Sequence, residues 1–377
     1  MGGVAGREEL YGACVSELSA SAYEIPTEQP EADGTIEWTS TVLVVVQARA
    51  ADKTGLGWTY ATPAAAAFVG EKLASVAVGQ SAMDVGKVTW AMTRACRNVG
   101  QPGIAACAVS AVDVALWDLK ARLLDLSLGK LLGQVRNCVP VYGSGGFTTF
   151  DDATTRAQLE DWTQGLGLRK VKIKIGESFG SNERRDLHRV ALARQVIGQE
   201  VELFVDANGA YGAKQAARLG RLMGDSWGVS WFEEPVSSDD IPGLKDVRDA
   251  CPQDVAAGEY GFSPWYYTEM LRAGAVDCLQ ADATRCLGFT GWLAVANLAQ
   301  ANHLDISGHC APNLHTPVAA CVPNLRHLEY FSDHVRIERL LFEGSLSPVD
   351  GSLVPDTSSA GLGLAFRSKD AAPYRVL

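Results

Sequence analysis

The chain has 377 residues, 47% hydrophobic and 20% charged, a length that suits a large barrel with a smaller partner domain. A formal net charge of −11 argues against nucleic acid and anionic lipid as partners, and an enzyme acting on anions would need local positive charge from a metal ion and a few lysines. No stretch nears the roughly 18 uninterrupted apolar residues of a membrane span. No basic-then-apolar leader opens the chain, and none of the nine cysteines is spaced CxxC. The expectation is a cytoplasmic protein with free, mostly buried thiols.

In chain order, a first strand is expected within Val15–Tyr23, and the β-branched run Thr41–Ala48 reads as another. Between them Pro26–Gly34, polar and rich in turn formers, reads as an exposed loop. From Ile104 to Leu132 the pattern is helical: Val109, Val112, Leu116, Leu119 and Leu123 recur at three- and four-residue steps, and Gly133 offers a stop. Residues 1–134 therefore read as an α+β domain. After Val135 short apolar strands alternate with helical stretches. The candidates are Val139–Tyr142, Val171–Ile175, Leu203–Asp206, Ser230–Glu233, Val255–Ala257, Cys278–Ala281, Asp305–Ser307 and His327–Glu329. Eight such units in near-unbroken succession favour a closed parallel barrel over a doubly wound sheet, spanning 135–340. Residues 341–377 resume no such rhythm and are expected to fold back on the first domain.

In a barrel of this kind catalytic groups sit at the C-terminal ends of strands. Here the second strand carries Lys172 and Lys174, the third ends at Asp206 with Asn208 beyond, and the fourth ends in Glu233-Glu234. Glu259 follows the fifth, Asp282 the sixth and His309 the seventh, while Glu329 lies in the eighth. Scattered surface charge would not stay in phase with seven strands. Asp206, Glu233 and Glu259, from neighbouring strands, would converge and repel without a cation; an all-oxygen set suits Mg²⁺, not zinc. Lys172 and Lys174, two apart, share one face. Beside Lys172 and a divalent cation, Lys174 is expected to have a depressed pKa and to serve as a neutral base. Across the barrel, Asp282 behind His309 would fix its tautomer and raise its basicity. Two bases flanking a metal-bound ligand suit removal of a proton alpha to a carboxylate. A protonated Glu329 would donate a hydrogen bond to the second carboxylate oxygen.

The motifs VKIKIG, VDAN, WFEEP, AAGEY, the DAT of QADATR, SGH and HLE, with ALWDLKARLLDLSLGKLLG before them, resemble the enolase superfamily and, within it, the mandelate racemase subgroup, over most of the chain. The resemblance implies a (β/α)7β TIM-like barrel of the α/β class under an N-terminal α+β capping domain, and a homo-oligomer. It implies Mg²⁺ on Asp206, Glu233 and Glu259, and Lys174 as one base. Lys172 would contact the substrate carboxylate, Asp282–His309 would be the second base, and Glu329 an electrophile. One departure is Cys286-Leu287-Gly288, where relatives often have a glycine pair. The implied partner is a small carboxylate, an acid sugar.

Taken singly, each motif has a plainer reading. EEP is ordinarily a turn and a lysine pair a solvated face, Lys172 could be structural, and Glu329, beside Tyr330 and Phe331, could be an ion-paired core group. Asn208 and Glu234 stand between direct contact and supporting roles, and His315 between substrate contact and a satisfied structural histidine. His188, His303, His327 and His334 receive no role. Trp58, Tyr60 and the Tyr23–Gly34 segment are expected over the site. The leading reading is dehydration of a monoacid sugar, although the residues leave a second substrate carboxylate open. Racemisation or epimerisation at C2 uses the same bases, and a metal-binding scaffold without activity is the third reading.

Overall fold

A computed structural model of the protein describes residues 13–377; residues 1–12, where a leader was sought, lie outside the described residues. The first domain is an antiparallel sheet, β1 (Glu17–Ala32), β2 (Glu37–Ala50) and β3 (Lys53–Tyr60), in that spatial order. The stretch expected as an exposed loop, Pro26–Gly34, is largely exposed up to Pro30 but is strand, not loop, as far as Ala32. β1 runs on through Ala32, with its register against β2 shifting between Pro26 and Glu31. Proline breaks interior strands, but β1 is an edge, where a missing N–H costs no ladder bond. Only the turn at Asp33–Ile36 leaves the sheet, and there the Asp33 carboxylate accepts from the N–H groups of Thr35 and Ile36. Asp33 and Gly34 of this turn are buried against the second domain, while Ile36 stays exposed. A Cβ at Gly34 would lie 2.8–2.9 Å from the carbonyl oxygens of Ala207, Ile175 and Gly176, so only glycine allows that approach.

The helix Ile104–Leu123 is buried on nearly every side because it lies between the sheet and the barrel. The expected single helix to Leu132 is in fact two. The first ends before Asp125, whose backbone is left-handed (φ 53°), and Ser127 caps a second, Leu128–Leu132, closed by Gly133 at φ 88°. Short polar residues favour such breaks over continued helix. Gly55 and Gly57 let β3 lie on the longer helix, since a Cβ at either would stand 2.1–2.2 Å from a helix carbonyl. Two buried carboxylates tie this helix to its surroundings. Asp113 accepts from Thr89 and, on the barrel side, Thr290; Asp118 accepts from the N–H of Leu56 in β3 and of Leu362 near the C-terminus.

Eight parallel strands form the second domain: β4 (Val139–Gly145), β5 (Lys170–Lys174), β6 (Glu202–Asp206), β7 (Val229–Glu233), β8 (Asp254–Ala257), β9 (Cys278–Ala281), β10 (Asp305–Gly308) and β11 (Leu325–Phe331). Each pairs with the next and β11 pairs with β4, so the barrel closes. Helices from Asp152–Glu160 to Pro312–Ala319 follow β4 to β10, and Ser332–Leu341 follows β11. Side chains two apart on a strand share a face, so the interior is layered. The lower layer, Tyr142, Phe204, Trp231, Ala256 and Cys278, is apolar and includes His327, edge-on to Tyr142 and Trp231. The layer above carries Lys172, and the strand ends above that carry the charged groups.

After the last barrel helix, Ser352–Leu353 pairs with β4 and Phe342–Glu343 with Ala365–Phe366. The chain then returns to the first sheet, where the N–H of Val376 donates to the carbonyl of Ala22 and the N–H of Ala22 to that of Leu377. Asp118 thus bonds three separated segments. Asp118→Ala would strand two buried N–H donors and break its ion pair with Arg122, so a loss of about 3–5 kcal/mol is expected in urea unfolding. Asp118→Asn should lose less.

Candidate active site

Strand register brings the charged residues together. Lys174 is the Cα partner of Asp206, and Asp206 of Glu233, so all three stand level at the barrel mouth. Glu259 and Asp282 follow directly on β8 and β9, and His309 on β10. Several chain exits from these strands are left-handed: Asn208 (φ 45°), Glu234 (φ 36°), Cys310 (φ 51°) and Ala311 (φ 40°). Such conformations cost non-glycine residues free energy and gather where function demands a particular aim. Leu287, at the departure from the glycine pair, also keeps a left-handed backbone (φ 75°), its N–H held by the Ser110 hydroxyl.

Asp206, Glu233 and Glu259 are buried, with one oxygen of each within 4.8 Å of the other two. Burial and neighbouring carboxylates push Glu233 up to about 8 although Lys172 opposes them. Glu234 is driven well up by burial, then by Glu259. Asp206 lies below the usual carboxylate range: burial would raise it, but Lys174 and Lys172 outweigh that. Glu259 Oε2, Asn208 Oδ1 and Glu234 Oε1 are buried with no hydrogen-bond partner among the described residues. A cluster of mutually repelling carboxylates with unpartnered oxygens is a donor set that fits a hard divalent cation such as Mg²⁺.

Lys172 is fully buried, donates to Glu233, lies 2.8 Å from Glu329 and 3.5 Å from Asp206, and is held well above the usual lysine range by those carboxylates against the pull of burial. Lys174 donates to Asp206 at 2.5 Å. The expected depressed pKa of Lys174 is not found among these groups. Burial acts downward most strongly and Lys172 adds to it, but Asp206, Glu329 and Glu259 together raise the lysine above its usual range. Glu329 also departs from its expected protonated form. Burial would raise it, yet Lys172 and His309 hold it well below the carboxylate range, and it accepts from Ser144 Oγ (2.6 Å) and the N–H of Cys310 (3.0 Å).

His309 Nδ1 lies 2.9 Å from Asp282 Oδ2, and its Nε2 is 3.4 Å from Glu259 Oε2. Burial pulls the imidazole down, but Glu259 and Asp282 raise it above the usual histidine range. His315 does not reach the pocket. Its Nε2 accepts from the N–H of Ala283 and its Nδ1 faces the carbonyl of Ala311, so both nitrogens serve the backbone around Asp282.

A cavity of about 400 Å³ opens above these groups. Lys174, Glu259, His309 and Glu329 form its base; Ile36, Trp38, Val42 and Tyr60 of the first domain form its far wall. Tyr60 was expected here, but Trp58 is buried in the core, stacked on Phe342 with ring centroids 4.5 Å apart. Sequence reasoning missed Arg285, whose guanidinium donates to the carbonyl of Glu259, lies 3.7 Å from Asp282 and covers Tyr260. It also missed His334, stacked on Tyr60 at 3.4 Å. Arg285 stands three residues past Asp282, a visible spacing whose partners were not.

An antiparallel cap over a closed barrel with three strand-end carboxylates, two lysines and a carboxylate-backed histidine defines a class, the metal-dependent barrel enzymes of the enolase superfamily. Residues 24–133 match the mandelate racemase / muconate lactonizing enzyme N-terminal domain and residues 154–371 the enolase C-terminal domain-like family, and the chain belongs to that family. The family is magnesium-dependent. A mandelate racemase/muconate lactonizing enzyme-like protein from Rubrobacter xylanophilus is 45% identical, with a TM-score of 0.93 over 96% of this chain and 100% of that one. A racemase from Streptomyces coelicolor A3(2) with bound magnesium is 27% identical, with a TM-score of 0.90 over 96% of this chain and 100% of its own. The L-talarate/galactarate dehydratase of Salmonella typhimurium is 29% identical over 339 residues, 88% of this chain and 82% of that one.

If the carboxylate cluster holds the ion, Mg²⁺ at 100 times its dissociation constant should stabilise the fold by about 2.7 kcal/mol. Differential scanning calorimetry would read this as a rise in the thermal midpoint, absent in Glu259→Gln.

Proposed function

We propose that the chain removes the proton alpha to the carboxylate of an acid sugar and expels the C3 hydroxyl, giving a 2-keto-3-deoxy acid. The observation that carries this is the pair of bases on one cavity. Lys174 on β5 and His309 beyond β10 stand three strands apart one way around the barrel and five the other, with the carboxylate cluster between them. Magnesium, held by Asp206, Glu233 and Glu259, supplies when bound the positive charge that offsets the anion developing on the substrate carboxylate. Lys172, kept cationic by Glu233 and Glu329, binds that carboxylate, and Glu329 orients the lysine. His309 keeps its Nδ1–H on Asp282, which leaves Nε2 facing the cavity to take a proton or deliver one to the departing hydroxyl. Lys174 serves the opposite face of C2, so the C2 configuration decides which base removes the proton. Asn208 and Glu234 support the metal ligands.

The far wall favours a monoacid. It is largely apolar, its charged member is Asp33, and Glu31 and Asp333 lie buried behind it. Arg285 is already engaged by Glu259 and Asp282, and Arg336 by Asp333. A second substrate carboxylate would meet apolar rings and negative charge there. C2 epimerisation is the second reading, favoured by the presence of both bases.

Lys174→Ala and His309→Asn should each lower turnover by roughly 10²-fold or more, with far-ultraviolet circular dichroism unchanged; near-normal turnover in either would remove that residue from the mechanism. Proton NMR in D₂O with Mg²⁺, against aldonic and aldaric acids, should show a growing deoxy-methylene signal with monoacids and little with diacids. Deuterium entering C2 with the skeleton intact would establish epimerisation instead. Turnover of diacids alone would refute the monoacid assignment while leaving the chemistry in place.

A further inference from the structure

We propose that His309, Cys310 and Glu329 form a second metal site, one that takes Zn²⁺ and, when filled, withdraws His309 from proton transfer. The first half stands on geometry; the second rests on the function proposed above.

The Cys310 thiol has no part in the chemistry just described, yet it lines the cavity among the reacting groups. Its Sγ lies 3.3 Å from His309 Nε2 and 3.4 Å from Glu329 Oε2, and that nitrogen and oxygen are 3.7 Å apart. Tetrahedral zinc with ordinary Zn–S, Zn–N and Zn–O bonds spaces such ligand atoms roughly 3.4–3.6 Å apart. The three atoms therefore already lie close to one face of a zinc tetrahedron. Glu259 Oε2, 3.4 Å from the same nitrogen, belongs to the carboxylate cluster, so the fourth position is left to a water.

Supporting contacts are also present. Asp282 holds His309 Nδ1, which leaves Nε2 as the free donor, the arrangement usual behind a metal-bound imidazole. Ser144 and Lys172 hold the other oxygen of Glu329. The left-handed backbone at Cys310 and Ala311 aims thiol and imidazole together. The donor chemistry separates the two sites: the carboxylate cluster is all oxygen and suits Mg²⁺, whereas nitrogen, sulfur and oxygen suit zinc. On binding, the thiol proton passes to solvent and the thiolate becomes the ligand. His309 Nε2 is then committed to the metal and can neither accept nor deliver the substrate proton.

The test uses the full chain saturated with Mg²⁺ and titrated with Co²⁺, which reports thiolate ligation by a near-ultraviolet sulfur-to-metal charge-transfer band. The wild type should develop this band to one equivalent, and Zn²⁺ should abolish it. Cys310→Ala should lack it and bind Zn²⁺ at least about tenfold more weakly, the scale that loss of even an outer partner produces. Cys310→Ser replaces it should the alanine variant not fold. No band in the wild type, or an equal band in the variants, overturns the site. With an acid identified by the NMR screen, Zn²⁺ should stop wild-type turnover at concentrations that Cys310→Ala tolerates. If the band forms and turnover continues, the site stands and the role given to His309 falls.

Discussion

Three carboxylates buried within 4.8 Å of one another cannot all be charged without positive charge beside them, and the upper face of the barrel is organised around that requirement. Two lysines partly meet it: Lys174 on Asp206, and Lys172 on Glu233 with Glu329 behind. Glu259 is met only at longer range, by Arg285 and His309, and Glu233 and Glu234 are driven up by burial and then by neighbouring carboxylates. A divalent cation on these oxygens would offset the excess. The apolar layer of Tyr142, Phe204 and Trp231 closes the barrel beneath, so the charges face only the cavity and strengthen one another in a poorly polarisable setting.

The first domain supplies what the barrel mouth lacks, a far wall. Its position is set by close backbone contacts. Gly34 lies against the ends of β5 and β6, and Gly55 and Gly57 seat β3 on the buried helix Ile104–Leu123. That helix is in turn fixed by Asp113 to the barrel and by Asp118 to the C-terminal segment. The wall and the base of the cavity are thus parts of one bonded unit. The wall of that cavity is acidic and apolar, while Lys174, Glu259, His309 and Glu329 stand at its base.

The same arrangement explains why Cys310 matters. A left-handed residue after β10 places its side chain beside His309, not away from it, and the barrel closure between β11 and β4 brings Glu329 to the same point. A base held ready for protons, with its other nitrogen fixed by a carboxylate, is also a good metal ligand. In the site proposed above, the thiol beside His309 is what opens that imidazole to capture by a metal.

By itself the sequence determined the barrel and the identity of its charged ring, because a two-residue side-chain period and one group per strand end are local properties that survive without knowledge of neighbours. Lys172, Lys174, Asp206, Glu233, Glu259, Asp282, His309 and Glu329 were legible for that reason. The reach of β1 through Pro26 and Pro30 was not, since local turn chemistry hides that β1 is an edge. The break before Ser127 was likewise hidden under an apolar pattern that continues across it. Only the tertiary structure set which charges surround Lys174 and Glu329, because spacing along the chain does not state which groups lie within a few ångströms. It alone joined Arg285, Cys310 and His334 to the site and released His315 from it. Their roles depend on contacts between segments far apart in sequence, which only the closed barrel brings together.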